Sequence, residues 1–381
     1  MSYVGITPVS TKSDLKEFID LPWKIYPRES NWVPPLKKEV RRLLDPGKHP
    51  YWKFSERTLF LARRGSEVVG RIAAIVDGNY NAYHNEKMGS FGFFECRDDL
   101  EAAAGLFAAA EDWVRSKGMD YLMGPLNPST NYEIGMLIEG FEYPPTIMMP
   151  WNHPYYPPLV EGCGLKKEKD LVAFNIVHED RLGERVERLA RRIMSKGKVR
   201  TRNGSRKNVE SEIALMSEIY RSAWADNWGF VPMTKDEEHE MARNLLPILK
   251  EELTFFIYYE DEPAGVVMVL PDMNPLLKRL NGKIGLTGVF KYLLYKREIR
   301  GIRGTIFGVK KKYQKLGLPL VAFDHLRTVL KGNRNYDYLE FGWNLEDNEA
   351  INKFEEAVGA RVYKRYRIFA KRFRLDSRSE G

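Results

Sequence analysis

The same order of predicted secondary-structure elements occurs twice along this chain of 381 residues. The first copy has a predicted hairpin over 58–77 and a closing strand over 167–177, and the second has a hairpin over 253–270 and a closing strand over 361–372. Each copy runs helix, hairpin, strand, helix, strand, helix, strand, without a residue-level repeat. This order predicts an α/β (α+β) fold with two mixed sheets flanked by helices. We expect the two halves to be residues 1–178 and 179–381.

The composition is typical of a globular protein. Hydrophobic residues make up 43% of the chain, which is enough to build a core in each half. No apolar run approaches the roughly 20 residues that a membrane-spanning helix needs. The first residues lack the pattern of a secretory signal, and the two cysteines, Cys96 and Cys163, indicate neither a metal cluster nor a disulfide. These features predict a cytoplasmic location.

Positive charge is concentrated in one stretch of the second half. Residues 276–315 contain twelve Lys or Arg and one acid, Glu298, although the net charge of the whole chain is only +8. Such a patch binds phosphate, whether on a nucleotide cofactor, a nucleic acid or an anionic membrane. The alternative is a solvated basic face without a partner.

A strand, a basic turn and a helix follow one another within this stretch. In such a turn the free backbone N–H groups and the positive end of the helix dipole point towards an anion. The spacing of Val309, Tyr313, Gln314 and Gly317 resembles motif A of the GNAT acetyltransferase superfamily, in which the turn holds the pyrophosphate of coenzyme A. Pro319 departs from that motif, because it removes one N–H that a phosphate could use.

A second GNAT-like pattern follows the predicted helix. Residues 338–343 form a predicted strand, Asn348 follows it, and a further predicted helix over 349–358 leads to Gly359. GNAT proteins place here a strand that splays away from the motif A strand and leaves a slot for the thioester. Because both patterns occur in the superfamily order, the resemblance implies an acyl-CoA site in residues 179–381.

The first half has no equivalent of motif A. Its corresponding helix opens with Asp98, Asp99 and Glu101. These carboxylates would repel a pyrophosphate, so we expect the first half not to bind CoA.

Several phrases spread along most of the chain resemble the bacterial ceramide synthase-like family of acyl-CoA N-acyltransferases. They are W-V-P-P at 32–35, G-F-F-E at 92–95, G-P-L-N at 124–127, G-F-E-Y-P-P at 140–145, N-W-G-F-V-P at 227–232, P-D-M-N at 271–274 and G-W at 342–343. This resemblance implies amide formation between a fatty acyl-CoA and the amine of a sphingoid base. It implies CoA contacts from Phe307, Val309, Tyr313, Gln314, Gly317 and Leu318, and substrate contacts from Asn227, Trp228, Phe230 and Trp343. The alternative for the aromatic residues is a place in the core.

The chemistry requires a group that accepts a proton, because an amine must be neutral to attack a thioester. Glu340, on the predicted splayed strand, is the first candidate for this general base, and Glu346 is the second. Either side chain fits a solvated or ion-paired carboxylate equally well. Asn348, from the second GNAT-like pattern, completes the set of candidate catalytic residues.

The resemblance also implies groups for the other two steps. It places the donor to the tetrahedral oxyanion at the backbone N–H of Val309. It places the proton donor to the leaving thiolate, often a tyrosine in the superfamily, at the position of Glu355. Tyr363 and Tyr366 are possible substitutes, although packing explains both equally well, so the acid stays unassigned.

A segment over 275–297 has apolar residues at helical spacing, interrupted by glycines. The apolar positions are Leu276, Leu277, Leu280, Ile284, Val289, Phe290, Leu293 and Leu294, and the cations are Lys278, Arg279, Lys283, Lys291, Lys296 and Arg297. An apolar face with a basic rim predicts a helix that lies on an anionic membrane surface. The alternative is an ordinary amphipathic helix packed on the sheet.

Two other functions fit the sequence. One is a tandem-GNAT transferase that uses aminoacyl-tRNA, although tRNA binding predicts a broader basic surface than this single stretch. The other is a non-catalytic lipid- or membrane-binding protein on the same scaffold, which Pro319 and Glu355 permit. The histidines lack metal-ligand spacing and no RNA-binding signature is present, so we expect neither a metal nor a specific nucleic acid.

Overall fold

The computed structural model describes residues 3–177, 184–285, 288–332 and 335–373. Contacts divide the chain into two compact units. Unit 1 consists of Met1–Leu171, Leu280–Gly285 and Lys364–Gly381, and unit 2 of Val172–Arg279 and Leu286–Tyr363. The predicted junction between residues 178 and 179 lies outside the described residues.

Unit 1 contains the first eight strands, the first part of the ninth strand and the first six helices of the described chain, together with the end of its last strand. The strands are β1 (Val4–Pro8), β2 (Ser55–Arg64), β3 (Glu67–Asp77), β4 (Met88–Cys96), β5 (Tyr121–Gly124), β6 (Leu126–Asn127), β7 (Glu133–Ile134), β8 (Met136–Glu139) and β9 (Lys166–Val177). The helices are α1 (Lys12–Asp20), α2 (Pro22–Ile25), α3 (Lys37–Leu43), α4 (Gly78–His84), α5 (Leu100–Ser116) and α6 (Tyr156–Gly162). Neighbouring strands β1 to β4 are antiparallel, and β4 and β5 are parallel.

Helix α5 covers the sheet of unit 1. Ala102, Ala103, Ala110 and Phe107 are buried against the strands, because small side chains allow the helix to approach the sheet closely. The Asp99 side chain caps the helix by accepting a hydrogen bond of 3.1 Å from the backbone N–H of Ala102. A capping box is also present at the start of α1, with Thr11 and Asp14 as its two members.

Unit 2 repeats this arrangement with the later elements. The strands are β10 (Val199–Asn203), β11 (Thr254–Tyr259), β12 (Glu262–Pro271), β13 (Gly301–Val309), β14 (Tyr338–Leu345) and β15 (Arg361–Arg372). The helices are α7 (Glu184–Met194), α8 (Val209–Trp224), α9 (Lys235–Leu245), α10 (Asn274–Leu280), α11 (Gly288–Tyr295), α12 (Leu318–Gly332) and α13 (Glu349–Ala357). Strands β10 to β13 are antiparallel neighbours, and β13 and β14 are parallel. The chain therefore has the predicted mixed α/β architecture.

One neighbour of β5 and one neighbour of β14 come from distant parts of the chain. In unit 1, the Phe369–Arg372 part of β15 pairs with β5, antiparallel, from Phe369 opposite Gly124 to Arg372 opposite Tyr121. In unit 2, β14 has β9 as its other neighbour. The limits of the two units accordingly fall inside β9, after Leu171, and inside β15, after Tyr363.

The core of unit 2 lies between its strands and the helices α7 and α12. Phe255, Phe323 and Leu326 are among its buried members, and Val321 and Ala322 bring α12 close to the strands. In the described part of the chain, no helix combines the length and the apolar character needed to cross a bilayer.

Candidate active site

A slot opens between the parallel strands β13 and β14 of unit 2. Their pairing begins with Gly301 opposite Tyr338 and ends with Gly304 opposite Phe341. Beyond that pair, residues 305–309 of β13 have no partner on β14. The splayed strand pair predicted from the sequence is therefore present.

A β-bulge marks the point where the two strands separate. On β12, Met268 lies opposite Ile306 and the next residue, Val269, lies opposite Gly304, so Thr305 is an extra residue in β13. The Thr305 hydroxyl donates a hydrogen bond of 3.0 Å to the carbonyl of Met268. Because a bulge bends the strand that carries it, Thr305 turns β13 away from β14 directly after the last parallel pair.

The backbone N–H of Val309 points into the slot. Lys310 donates its N–H to the carbonyl of Ala264 on β12 at 2.8 Å. Successive N–H groups of a strand point to opposite sides, so the N–H of Val309 faces the side that β14 has left. This donor is available to an oxyanion or to an extended ligand in the slot.

A tight turn joins β13 to α12. A 3-10 turn over Lys311–Leu316 leads to Gly317, whose φ of +73° lies in the left-handed region that favours glycine. Helix α12 begins at Leu318, which is fully buried. The first N–H groups of a helix have no partner within it, so the turn offers donors and a positive dipole end to an anion. Pro319, the second residue of the helix, contributes no N–H.

The polar side chains of the turn are engaged with neighbouring elements. Lys310, Lys311 and Lys312 form ion pairs with Glu218, Asp226 and Glu262, respectively. The Tyr313 hydroxyl also donates to Glu262, which raises the pKa of the phenol. Gln314 donates from Nε2 to the carbonyl of Val309 at 3.3 Å. Three of the four lysines over residues 310–315 are therefore paired with carboxylates.

Unit 1 has a similar strand pair but a different helix start. Strands β4 and β5 pair from Met88 to Ser90, and an irregularity of β4 follows at Phe93, which has a φ of +50°. The helix that follows is capped by Asp99, which also pairs with Arg64 at 2.8 Å. The Asp99 carboxylate thus occupies the position at which a phosphate would meet the N-terminus of α5.

Glu340 is held inside unit 2. Its side chain is 0% exposed and lies 3.4 Å from Nε of Arg303. The hydroxyl of Tyr363 donates a hydrogen bond to the same carboxylate. Arg303 also donates to the carbonyl of Gly342, at 2.7 Å from Nη2 and 3.1 Å from Nε. Arg303 therefore ties β13 to β14 at the level where the slot begins.

Glu355 on α13 lies beside the splayed part of β14. It accepts a hydrogen bond of 2.7 Å from Nδ2 of Asn344, which also donates to the side-chain oxygen of Asn352 at 3.1 Å. Burial of the Glu355 side chain raises the pKa of its carboxyl to about 8, against a smaller lowering by the Asn344 hydrogen bond. At neutral pH the carboxyl is therefore mostly protonated and able to donate a proton.

The other predicted polar residues lie at the end of β14 and on β15. Glu346 is half-buried just after the strand, and its backbone carbonyl accepts from Nδ2 of Asn352 at 3.4 Å. Asn348 precedes α13 but makes no side-chain capping bond. Tyr366 is fully buried and belongs to unit 1, whereas Tyr363 belongs to unit 2.

Aromatic side chains surround the motif A strand. The ring of Trp224 packs directly on Gly308, where a Cβ atom would lie 2.1 Å from the ring. On the neighbouring loop, Phe230 is buried against Tyr220, with ring centroids 5.4 Å apart. Trp228 is half-buried.

Three more predicted contact residues remain. Phe307 lies on β13, Trp343 on β14, and Asn227 on the loop that follows α8. Phe307 stacks with Phe354 of α13, with ring centroids 6.1 Å apart. Trp343 follows Gly342 on β14, and Asn227 begins the loop with its N–H bonded to the carbonyl of Trp224 at 2.8 Å. The side chains of Asn227 and Trp343 are half-buried.

Three residues of the candidate site, Thr305, Asn344 and Arg303, were not predicted from the sequence. Thr305 and Asn344 are small polar residues in strands, and their roles depend on register and on the position of α13. Arg303 was counted only as part of the basic stretch, although it is buried and paired. Within the described residues, no group of three or more His, Cys, Asp and Glu is placed to hold a metal ion.

Comparisons with known proteins identify relatives of this chain. No family model matches the chain. It is 34% identical over 376 residues to "Bacterial ceramide synthase" of Caulobacter vibrioides (strain NA1000 / CB15N), covering 97% of both chains. It is 33% identical over 384 residues to "Protein YghO" of Escherichia coli (strain K12), covering 97% of this chain and 96% of that one.

Solved structures share the fold at low sequence identity. A tandem GNAT protein from the clavulanic acid biosynthesis pathway aligns with a TM-score of 0.54 and 12% identity, over 98% of this chain and all of that one. A GCN5-related glucosamine N-acetyltransferase region of a fungal multi-domain β-N-acetylglucosaminidase aligns with a TM-score of 0.58 and 13% identity, over 97% of this chain and 38% of that one. The chain therefore belongs to the GNAT-like, bacterial ceramide synthase-like family of N-acyltransferases.

Proposed function

We propose that this N-acyltransferase moves an acyl group from acyl-CoA to a primary amine, and that the amine is a sphingoid base. The observation that carries the donor assignment is the slot between β13 and β14 followed by the turn at Gly317. The turn offers N–H groups to a pyrophosphate, and residues 305–309 of β13, which have no partner on β14, offer a strand edge to an extended arm. The name of the Caulobacter relative, at 34% identity, supports the acceptor.

The reaction needs three protein groups. The amine nitrogen attacks the thioester carbon, which forms the C–N bond and a tetrahedral oxyanion. The N–H of Val309 stabilises this oxyanion. Collapse of the intermediate breaks the C–S bond and releases the thiolate of CoA. A base takes the extra proton of the amine and an acid protonates the thiolate, so the products are an amide and free CoA.

Glu355 is the proposed acid. It occupies the position where the superfamily often has a tyrosine, it contacts Asn344 on the splayed strand, and its raised pKa keeps it protonated at neutral pH. Glu340 and Glu346 are the proposed bases. They differ in access, because Glu340 has no exposed surface, whereas Glu346 is half-buried. Access to an incoming amine favours Glu346.

A binding experiment tests the donor assignment. The wild-type protein is tested with a series of acyl-CoAs of increasing chain length. Those that bind should raise its melting temperature and should give a 1:1 complex in native mass spectrometry. Gly317→Glu should abolish both effects, because it adds a negative charge to the turn that we assign to the pyrophosphate. Its Cβ atom would lie 2.8 Å from Cδ1 of Ile193, so denaturant unfolding first establishes that the variant is folded. Gly197→Glu is the matched control: Gly197 also belongs to unit 2 and has a φ of +69°, and a Cβ atom added there would meet no other atom within 4 Å.

The outcomes separate the proposed function from its alternatives. Equal binding by Gly317→Glu and wild type would refute the donor site. Acyl-CoA binding without amide formation from a sphingoid base, measured by mass spectrometry of the products, would refute the acceptor. Binding of aminoacyl-tRNA in place of acyl-CoA would support the tRNA-dependent alternative.

A further inference from the structure

Helix α11 presents an apolar side to solvent. Phe290 is 66% exposed, Leu293 56% and Leu294 57%. At 100° per residue, these three side chains fall within one arc of about 100° on the helix. Exposed apolar residues are common singly, but a contiguous group on one helix face marks an interaction site.

The helix is oriented opposite to an ordinary amphipathic helix. Gly288 is buried and Lys291 and Tyr295 are half-buried, and these three positions lie on the side away from Phe290. A surface helix normally packs its apolar side inward and exposes its polar side. Helix α11 therefore exposes its two leucines and its phenylalanine, which are accessible to a partner outside the chain.

The preceding helix behaves differently. Leu276 and Leu280 of α10 are buried, so this part of the predicted amphipathic segment packs on the protein. Ile284 is 55% exposed. The side chain of Val289 lies outside the described part. The two interpretations of the segment thus apply to different helices.

Contacts within unit 2 hold α11 in place. Lys291 donates from Nζ to the carbonyl of Arg279 at 3.4 Å. The guanidinium of Arg279 lies 5.1 Å from the ring centroid of Tyr295 and 3.4 Å from the carboxylate of Glu298. The exposed apolar side is therefore part of a fixed surface.

The charges beside this surface are positive. Lys296 and Arg297, in the 3-10 turn that follows α11, are exposed and form no ion pair with a carboxylate among the described residues. Glu298, the one acid of the basic stretch, is already paired with Arg279. An apolar helix side next to unbalanced cations is complementary to a surface that is apolar inside and anionic outside.

We propose that α11, together with Lys296 and Arg297, docks this protein on an anionic lipid bilayer. Phe290, Leu293 and Leu294 enter the headgroup region, and the two cations contact lipid phosphates. A second copy of the chain is a poorer occupant, because one side of an eight-residue helix offers far less than the roughly 800 Å² per partner of a stable interface. The proposal is independent of the acyl-transfer chemistry.

Vesicle flotation tests the docking surface. The full chain is mixed with vesicles of phosphatidylcholine alone, or of phosphatidylcholine with phosphatidylglycerol, and the floating fraction is measured at low and high salt. We expect the protein to float only with the anionic vesicles, and less so as salt rises. The double variant Phe290→Ser/Leu293→Ser and the double variant Lys296→Glu/Arg297→Glu should both lose flotation.

A matched control uses exposed apolar residues elsewhere. Leu100 is 52% exposed and Leu189 39%, so Leu100→Ser/Leu189→Ser removes the same kind of side chain away from α11 and should float like wild type. Equal flotation with both vesicle types, no flotation with either, or unchanged flotation of the α11 variants would overturn the proposal. So would a concentration-dependent dimer that only the Phe290→Ser/Leu293→Ser variant loses. None of these readouts requires turnover, so their failure leaves the proposed acyl transfer untouched.

Discussion

The side-chain amide of Asn344, on the splayed strand β14, donates a hydrogen bond of 2.7 Å to the carboxyl of Glu355 on α13. Glu355 is 3% exposed, and burial raises the pKa of its carboxyl to about 8. The pair brings a group that is protonated at neutral pH to the slot strand. Two predictions depend on this pair.

The first prediction concerns stability. Between the ordinary pKa of about 4.5 and the folded value of about 8, the unfolded chain releases the Glu355 proton and the folded chain keeps it. The free energy of unfolding should therefore fall as pH rises through this window and level off above it. Glu355→Gln removes this loss. The free energy of unfolding of the variant, relative to that of wild type, should therefore increase by up to about 4 kcal/mol between pH 5 and pH 8. Denaturant unfolding of both proteins at several pH values measures this difference in the free energy of unfolding.

The neighbouring exposed residue provides the control for this measurement. Glu356→Gln removes a carboxylate from the solvent side of the same helix and should follow the wild-type curve at every pH. Parallel curves for wild type and Glu355→Gln would contradict the raised pKa.

The second prediction concerns turnover. If Glu355 protonates the leaving thiolate, the wild-type kcat should fall above pH 8, where the carboxyl ionises. Glu355→Gln should lower kcat by roughly 10²-fold and remove this alkaline limb, while acyl-CoA affinity stays near the wild-type value. A variant that keeps the same alkaline limb would show that another group supplies the proton.

The third prediction separates the two candidate bases. Glu340→Gln breaks a buried ion pair with Arg303, so it should lower the free energy of unfolding by about 3 kcal/mol. Glu346 is half-buried, so Glu346→Gln should cost less stability than Glu340→Gln and should lower kcat by roughly 10²-fold. The two variants are compared by unfolding and by steady-state kinetics. A stable Glu340→Gln protein with normal acyl-CoA binding and strongly reduced kcat would assign the base to Glu340.

The fourth prediction concerns the loop beside the slot. Trp228 is half-buried, so Trp228→Ala should raise KM for long-chain substrates more than for short-chain ones while the protein stays folded. Phe230 is 6% exposed and packs on Tyr220, so Phe230→Ala should instead cost about 3 kcal/mol of stability. If Trp228→Ala affects all chain lengths equally, Trp228 does not contact the alkyl chain.

The fifth prediction concerns the N-terminus of helix α5 in unit 1. Asp99 caps α5, so Asp99→Ala should cost about 1 kcal/mol of stability. Because we assign the donor site to unit 2 alone, this variant should bind acyl-CoA with wild-type affinity. A loss of acyl-CoA affinity in a folded Asp99→Ala protein would place a donor contact in unit 1.

Local sequence patterns predicted most elements of the fold. The two hairpins were expected from alternating apolar residues around Arg64-Gly65-Ser66 and Asp261-Glu262-Pro263, and both are present as β2–β3 and β11–β12. The strand, turn and helix around Gly317 were likewise expected, from the motif A-like spacing of Val309, Tyr313, Gln314 and Gly317. These features depend on neighbouring residues, which a single sequence contains.

Features that depend on distant residues were not predicted. The extra residue at Thr305 is defined only by the register with β12, and nothing in the residues around Thr305 signals it. Glu355 reads as one carboxylate among several on an amphipathic helix, and only the fold reveals its burial. The periodicity of residues 275–297 could not distinguish α10 from α11, because a helix that buries its apolar side and one that exposes it have the same spacing of apolar residues.

The division of β15 between the two units has a consequence for the order of folding during synthesis. The strand part that pairs with β5, Phe369–Arg372, leaves the ribosome after every other strand of unit 1. Until then, β5 offers an open edge, with unpaired backbone groups that invite pairing with other chains. The unit that begins the chain can therefore be completed only when almost all of the chain has been made. A fragment that stops before residue 364 would lack this strand even though it contains all of the N-terminal elements.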